Sequence, residues 1–123
     1  MKRIWIGIGL LVGLLAAGLI TMAMMNQRLD RIAQGLESAS EAVDFSQAVT
    51  LAEDANAQWE RHKHFHSALA DHGDIDMING SFAQLEVYVR HQDQVSHRAT
   101  CAWLAQAVKD LSENHRLTWW NLL

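Results

Sequence analysis

The sequence predicts an all-α protein in which one N-terminal transmembrane helix continues into a small antiparallel helical bundle. The chain has 123 residues and no proline, and Ala, Leu, Gln and Glu are frequent after residue 26. Long helices therefore meet few breakers. Apolar residues also recur at alternating spacings of three and four, which is the period of an amphipathic helix. The part of the chain beyond the apolar start is long enough for one small domain.

An uncharged apolar segment over residues 4–25 opens the chain. Roughly 20 such residues, each rising ~1.5 Å, cross the ~30 Å hydrocarbon core of a bilayer. Lys2 and Arg3 precede the segment, whereas Arg28 and Arg31 follow it, and basic residues favour the cytoplasmic side. We expect a single-pass protein of the cell membrane with a cytoplasmic N-terminus and an extracytoplasmic C-terminal domain.

A cleaved secretory signal is the alternative for this segment, because a signal also combines a basic start with an apolar run. Thr21, Met22 and Ala23 would then form the cleavage site. The apolar core of a signal spans ~7 to 15 residues, fewer than this segment has, which favours an uncleaved anchor. Both alternatives place the rest of the chain outside the cytoplasm.

Small residues line one face of the apolar helix, where Gly9, Gly13 and Ala17 stand four positions apart. This spacing lets two membrane helices approach closely, so the face is a candidate contact for a homodimer. The alternative is that small residues are simply common in membrane helices.

The first helix is expected to continue beyond the membrane as a stalk, and a second helix follows it. Asp44 is the predicted N-cap of the second helix, with Gln47 reaching back to it. Trp59 and Phe65 are the expected large core residues. The predicted apolar stripes are Leu29, Ile32, Leu36, Ala39 and Val43 in the first helix, and Ala48, Ala52, Ala55, Trp59, His62, His66 and Leu69 in the second.

A tight turn over residues 71–74 is predicted to separate the second helix, which ends near Ala70, from a third. Gly73 suits a helix end and Asp74 suits the cap of the next helix. Residues 91–93 are expected to end the third helix, and a fourth finishes near Asn114. The predicted stripes are Ile75, Ile78, Phe82, Leu85 and Val89 in the third helix, and Val95, Cys101, Leu104, Val108 and Leu111 in the fourth.

The sequence thus divides into an anchor (residues 1–25), a stalk helix (26–44) and a bundle domain (45–123). Ten Lys and Arg minus Lys2 and Arg3 leave eight basic residues against fourteen acidic ones, a net charge of −6 beyond the anchor. Such a surface repels the phosphates of nucleic acid. Nucleic acid is therefore not an expected partner.

The histidines near the end of the second helix are the candidate metal ligands. His62 and His66 stand four apart on one helical face, a spacing that can bind zinc, and His72 follows nearby. No second ligand pair with zinc spacing is found in the sequence, which favours polar histidines along a partly exposed helix. Neither a metal nor a cofactor is predicted, and His72 with Asp74 and Asp76 is expected to tie the turn between two helices.

Catalytic signatures such as GxSxG, a glycine-rich phosphate loop or CxxC are not found in the sequence. No catalytic residue is predicted, and we do not expect an enzyme. Cys101, the single cysteine, falls on an apolar stripe and is expected to be a buried hydrophobe. Trp119 and Trp120 are expected to pack back on the bundle, the alternatives being contact with a membrane interface or with a partner.

Several of these features occur together in one known family. They are the N-terminal anchor, Asp44, Phe45, Ala48, Trp59, the segment from His72 to Asp76, Ile78 and the ending Asn121 to Leu123. In their order and spacing the sequence resembles the small bacterial membrane-anchored proteins of domain of unknown function 4363, found mainly in Firmicutes. The resemblance implies an uncharacterised membrane protein with no assigned activity.

Together these observations predict a non-enzymatic module that is held in the bilayer by residues 4–25 and binds another membrane or envelope protein. The alternative is a sensor domain that binds a metal or small ligand through the histidines between residues 62 and 72.

Overall fold

Over the residues that the structure describes, the protein folds as four α-helices. The structure is a computed structural model that describes the backbone of residues 2–69 and 72–122 and the side chains of residues 2–64 and 72–114. The helices are α1 (Lys2–Glu41), α2 (Phe45–Leu69), α3 (His72–Arg90) and α4 (Gln94–Leu122). The predicted all-α class is confirmed.

The first helix continues without interruption from the apolar segment into the bundle, as predicted. Its buried face carries Leu29, Ile32, Leu36 and Ala39. Val43 was wrongly assigned to this face, because α1 ends at Glu41 and Val43 is 95% exposed in the loop that follows. The stripe was extended one turn past the point where the helix stops.

The second helix begins where the sequence predicts, because Asp44 caps it. Its carboxylate accepts a hydrogen bond from the backbone N–H of Ser46 at 3.2 Å, and its carbonyl accepts one from Ala48 at 3.0 Å. The first bond satisfies an N–H group that a helix start leaves unpaired, and the second is the first i→i−4 bond of the helix. Trp59 is fully buried, which confirms its place in the core, whereas the side chain of Phe65 lies outside the described residues.

The third helix starts earlier than predicted. His72, Gly73 and Asp74 form its first turn and not a separate turn before it, so the predicted turn over residues 71–74 is wrong in its extent. Asp74 instead places a negative charge in the first turn, where the helix dipole favours it. No described glycine has a positive φ, so Gly73 does not supply the left-handed conformation of a helix end.

The third helix ends at the predicted position with a Schellman motif. Gln92 adopts a φ of 53°. Its N–H donates to the carbonyl of Val89 at 3.1 Å, and the N–H of Asp93 donates to the carbonyl of Tyr88 at 2.9 Å. This pair of bonds closes a helix C-terminus, and glycine is the usual residue at the position of Gln92.

The fourth helix is longer than predicted, since it continues past Asn114 to Leu122. No glycine or proline follows Gln94, so the polar residues near Asn114 were wrongly taken as a stop. Val95 was also wrongly placed on the buried stripe and is 80% exposed. His97 takes that place, because residues 97, 101, 104, 108 and 111 share one helical face.

The helices pack as an up-and-down antiparallel bundle, in which α1 lies between α2 and α4, and α3 packs mainly on α4 and less on α2. Asn26, in the middle of α1, contacts Ser112, whereas the carbonyl of Val43, just past the end of α1, accepts a hydrogen bond from Arg98. The loops at residues 42–44 and 91–93 therefore share the end far from the apolar segment, here called the distal end. The core consists of Leu29, Ile32, Ala33, Leu36, Ala39, Ala52, Ala55, Trp59, Ile75, Ile78, Phe82, Leu85, Cys101, Leu104, Ala105, Val108 and Leu111.

Candidate functional site

The apolar half of α1 is the first candidate site, and it has almost no intramolecular cover. Large side chains from Ile4 to Ile20 are exposed around the whole helix. Burial begins with Gly18 and Met22, which are half-buried, and reaches Met25, which is buried. The bundle therefore overlaps only the last turns of the apolar segment.

The small-residue face predicted for helix contact lies in this uncovered part. A Cβ added at Gly9 or Gly13 would meet nothing within 4 Å, and Ala17 is exposed. The hydroxyl of Thr21, on the same face, donates to the carbonyl of Ala17 at 2.8 Å. Within the chain these positions are thus free to be covered by lipid or by a second helix.

Among the described helices, α1 is long and apolar enough to cross a membrane. The qualifying stretch is not buried in the fold, which distinguishes it from the core helix of a soluble protein. The stretch lies near the N-terminus, where a signal sequence also lies.

The predicted histidine site is only partly within the described side chains, since that of His66 lies outside them. His62 is half-buried against α1, where the guanidinium of Arg28 donates a hydrogen bond to its Nδ1 at 3.3 Å. Burial, followed by the positive charges of Arg28 and Arg61, lowers the pKa of His62. His72 is exposed in the first turn of α3. The described side chains bring no three His, Cys, Asp or Glu residues into a metal-binding group.

The single cysteine is buried, as the sequence predicts. Cys101 is fully enclosed, and burial raises the pKa of its thiol to about 11. Its Sγ lies 3.8 Å from Nδ1 of His97, one turn earlier in α4. A thiol with this pKa stays protonated at neutral pH and is a poor nucleophile.

A cavity of about 490 Å³ opens at the distal end between α2 and α3, with α4 behind it. The helices α2 and α3 are in limited contact, which leaves this space between them. We call it the distal cavity. Its walls are formed by Val49, Ala52, Glu53 and Asn56 of α2, Phe82, Leu85, Glu86, Val89 and Arg90 of α3, and His97 of α4.

Two polar atoms at the wall of the distal cavity are buried without a hydrogen-bond partner among the described residues. They are Nε2 of His97 and Oδ1 of Asn56. His97 is 1% exposed and packs edge to face against Phe45, with ring centroids 5.2 Å apart. Burial lowers the pKa of His97, so its imidazole is neutral near pH 7. The sequence analysis missed this residue, although its phase with Cys101 and Leu104 was a signal for its burial.

A second surface feature is a shallow groove along the seam of α3 and α4, here called the α3–α4 groove. Trp103 and Met77 both line this groove, and they are 45% and 54% exposed. Asp74 and Asp110 line the same groove. An exposed tryptophan beside apolar side chains is a typical anchor of protein interfaces.

The predicted tail residues Trp119 and Trp120 lie within α4, but their side chains are outside the described residues. Because α4 runs antiparallel to α1 and Ser112 faces Asn26, the helix continues toward the apolar segment. Ten further residues at ~1.5 Å each carry its axis ~15 Å in that direction.

The fold and these features define a small helical bundle built onto one exposed apolar helix. Residues 19–122 match the family model of domain of unknown function 4363, so the chain belongs to this family. The predicted resemblance is thereby confirmed. No curated protein and no solved structure matches the chain significantly.

Proposed function

We propose that the protein is a single-pass protein of the cell membrane whose bundle lies outside the cytoplasm and binds another membrane or envelope protein without catalysing a reaction. The observation that carries this proposal is α1 itself. One continuous helix has an apolar half exposed on all sides and a second half buried in the bundle core. Only lipid or other membrane helices can cover the first half favourably.

The charges at the two ends of the apolar segment support the orientation. Lys2 and Arg3 precede it and favour a cytoplasmic N-terminus. Arg28, on the other side, is engaged with His62 in the bundle. With the N-terminus inside and a single crossing, the residues beyond the anchor, which carry the net charge of −6, lie at the outer surface.

The α3–α4 groove supports a protein partner. Trp103 and Met77 present apolar area to solvent, and a large aromatic side chain gains more on becoming buried at an interface than any other type. The carboxylates of Asp74 and Asp110 flank this area. The partner segment that fits this groove is apolar with a basic flank.

The non-enzymatic part of the proposal rests on the state of the buried reactive groups. Cys101 is a protonated thiol and the imidazole of His97 is neutral and enclosed. Both are buried side chains of α4, and a protonated thiol is a poor nucleophile. The small-residue face with Gly9 and Gly13 provides a second contact, within the bilayer, for a homodimer or for the same partner.

Site-specific photo-crosslinking in the native membrane tests the proposal. A photoreactive amino acid at Trp103 should capture one membrane or envelope protein, identified by mass spectrometry. The same group at Ala57, an exposed position on α2, is the matched control and should not capture it. The double variant Met77→Ala, Trp103→Ala should lose the complex. Equal capture from both positions, or a complex that survives the double variant, would contradict the proposed surface.

A further inference from the structure

The C-terminal end of α4 runs alongside the apolar segment of α1. Ser112 of α4 contacts Asn26, which directly follows that segment, and the two helices are antiparallel. The helix α4 continues to Leu122, and ten residues advance a helix by ~15 Å. The backbone of Leu122 therefore lies at the height of about residue 16 of α1, well within the apolar segment.

The burial of α1 indicates the same overlap independently. Gly18 and Met22 lie within the apolar segment and are half-buried, and Met25 is buried. These residues share one helical face with Leu29, whose side chain is fully buried in the core. The buried face of α1 thus extends about two turns into the apolar segment, so neighbouring helices accompany α1 over that length.

The length of the apolar segment decides where this overlap lies relative to a membrane. If every residue from Gly18 onward stood outside the bilayer, only the fourteen residues 4–17 would remain to cross it. Fourteen residues of helix span about 21 Å, less than the ~30 Å thickness of the hydrocarbon core. A helix α1 that crosses the membrane therefore brings the adjoining end of the bundle into the outer leaflet.

Two helix ends reach toward the apolar segment, and their sequences differ. The helix α2 ends at Leu69, seven residues past His62, which contacts Arg28, so its end lies at the height of about residue 21. Residues 62–66 near that end read HKHFH, whereas residues 117–122 of α4 read LTWWNL and carry no charge. The end of α4 thus extends about five residues further along α1 and is also the one whose sequence suits lipid.

The two adjacent tryptophans of α4 fall near the outer end of the apolar segment. By the same count Trp119 and Trp120 lie at the height of about residues 18 and 19 of α1. Tryptophan is enriched at membrane interfaces because its ring is apolar while its N–H can reach the headgroups. Trp5 stands at the opposite end of the segment, so tryptophans occur near both of its ends.

We propose that residues 117–122 of α4 lie in the outer interface of the bilayer beside α1 and contact lipid, as a second attachment of the bundle that does not cross the membrane. This inference rests on the proposed crossing of α1. It favours contact with a membrane interface over the expectation that Trp119 and Trp120 pack on the bundle. Trp103, nine residues before Ser112, then lies ~14 Å further from the bilayer, where the α3–α4 groove is accessible to a partner.

Nitroxide labels on single cysteines in the full chain, reconstituted into phosphatidylcholine vesicles, test the depth of the α4 end. Cys101 is enclosed and should remain unlabelled. Oxygen concentrates in lipid and a nickel chelate stays in water, so at least one label at the end of α4 should collide more often with oxygen than with nickel. A label at Gln106→Cys, exposed on the same helix, is the matched control and should show the reverse. Four variants sample all sides of the helix end: Trp119→Cys, Trp120→Cys, Asn121→Cys and Leu122→Cys.

A label at Leu11→Cys, within the apolar segment, separates this proposal from the crossing of α1. Leu11→Cys should collide mainly with oxygen. If it does, and all four labels of α4 are reached mainly by nickel or by neither reagent, the lipid contact is overturned while the crossing stands. If Leu11→Cys is reached mainly by nickel, both are overturned.

Quenching of tryptophan emission tests the native side chains. Lipids brominated in their acyl chains quench a tryptophan that they contact. The double variant Trp119→Phe, Trp120→Phe should lose at least about half of the emission that these lipids quench, since Trp5 supplies the remainder. Trp103→Phe is the control and should leave the quenched emission unchanged. A double variant that also leaves it unchanged would overturn the proposal.

Discussion

The two halves of α1 belong to one helix but meet two different surroundings. From Ile4 to Ile20, large side chains are exposed on every side of the helix. After Met25 only one face is apolar, and that face is buried completely at Leu29, Ile32 and Leu36. The apolar half is hardly buried by the rest of the chain, whereas the second half forms one side of the bundle core. Local sequence therefore favours a helix along all of α1. Of its two halves, however, only the second contributes to the stability of the bundle.

Replacing a leucine by alanine should change the free energy of unfolding very differently in the two halves of α1, and this is the largest expected difference. Leu36→Ala removes a fully buried side chain and should cost about 2 to 5 kcal/mol of the free energy of unfolding. Leu11→Ala, at a position 59% exposed, should change bundle stability by less than about 0.5 kcal/mol. Urea unfolding followed by circular dichroism in detergent measures both. Similar losses from the two variants would mean that the apolar half is also part of the folded core.

The bundle also depends on partly buried polar contacts, of which the hydrogen bond from the indole of Trp59 is the clearest. Its Nε1–H donates to Oδ1 of Asn79 at 2.7 Å, and the ring packs on Phe82 with centroids 6.3 Å apart. Trp59→Phe leaves Asn79 without this donor and opens space in the core, at a cost of about 2 to 3 kcal/mol. Trp103→Phe, in the exposed groove, is the matched control and should cost less than about 0.5 kcal/mol. Equal falls in the melting temperature of both variants would contradict the assignment of Trp59 to the core and Trp103 to the surface.

Acid should weaken the bundle and leave the apolar half of α1 unaffected. Burial lowers the pKa of His97, so the unfolded chain, in which the pKa returns to about 6.5, takes up a proton first. The contribution of His97 to the free energy of unfolding is therefore fully present above the unfolded pKa of about 6.5. It is lost as the pH falls through the lower pKa that His97 has in the folded protein. His62 acts in the same direction. The melting temperature should fall from pH 7.5 to pH 5, and less steeply in His97→Leu. A parallel fall in both proteins would show that His97 is not responsible.

The smallest expected effect is a gain at the end of α3. Gln92 has a φ of 53°, which glycine adopts without steric cost. Gln92→Gly should therefore raise the free energy of unfolding by about 0.5 to 1 kcal/mol. Gln92→Ala keeps a Cβ at this position and should give no gain. Chemical denaturation distinguishes the two, and a gain from alanine as well would contradict the role of the backbone conformation.

The elements predicted correctly are those with a local signal. The Asp44 cap, the end of α3 at Gln92 and the burial of Trp59 all follow from residue types at fixed spacings. The error at Val43 comes from extending an apolar stripe beyond the end of its helix. The error at Val95 comes from adding a residue that is out of phase with the rest of its stripe. Both are corrected only when the bounds of the helices are known. The end of α4 was placed too early because polar residues near Asn114 do not by themselves stop a helix.

The distal cavity could not be predicted from the sequence. It exists because α2 and α3 are in limited contact, a property of the packing and not of any single helix. In the sequence His97 is one polar residue among others, and only the fold shows that it lies behind the space between α2 and α3. The histidine spacing of His62 and His66, in contrast, is visible in the sequence, yet in the fold His62 is turned toward Arg28.

The central claim is that α1 crosses the membrane with its N-terminus inside and carries the bundle outside, and cysteine labelling tests it directly. The native chain provides a silent background, since Cys101 is enclosed and its pKa is raised to about 11. New cysteines at Lys2 and at Ser38, both exposed, flank the apolar segment. A membrane-impermeant maleimide should label Ser38→Cys in intact cells, and Lys2→Cys only after the membrane is permeabilised. Labelling of Lys2→Cys in intact cells, or a mature chain that lacks residue 2 by mass, would contradict the account.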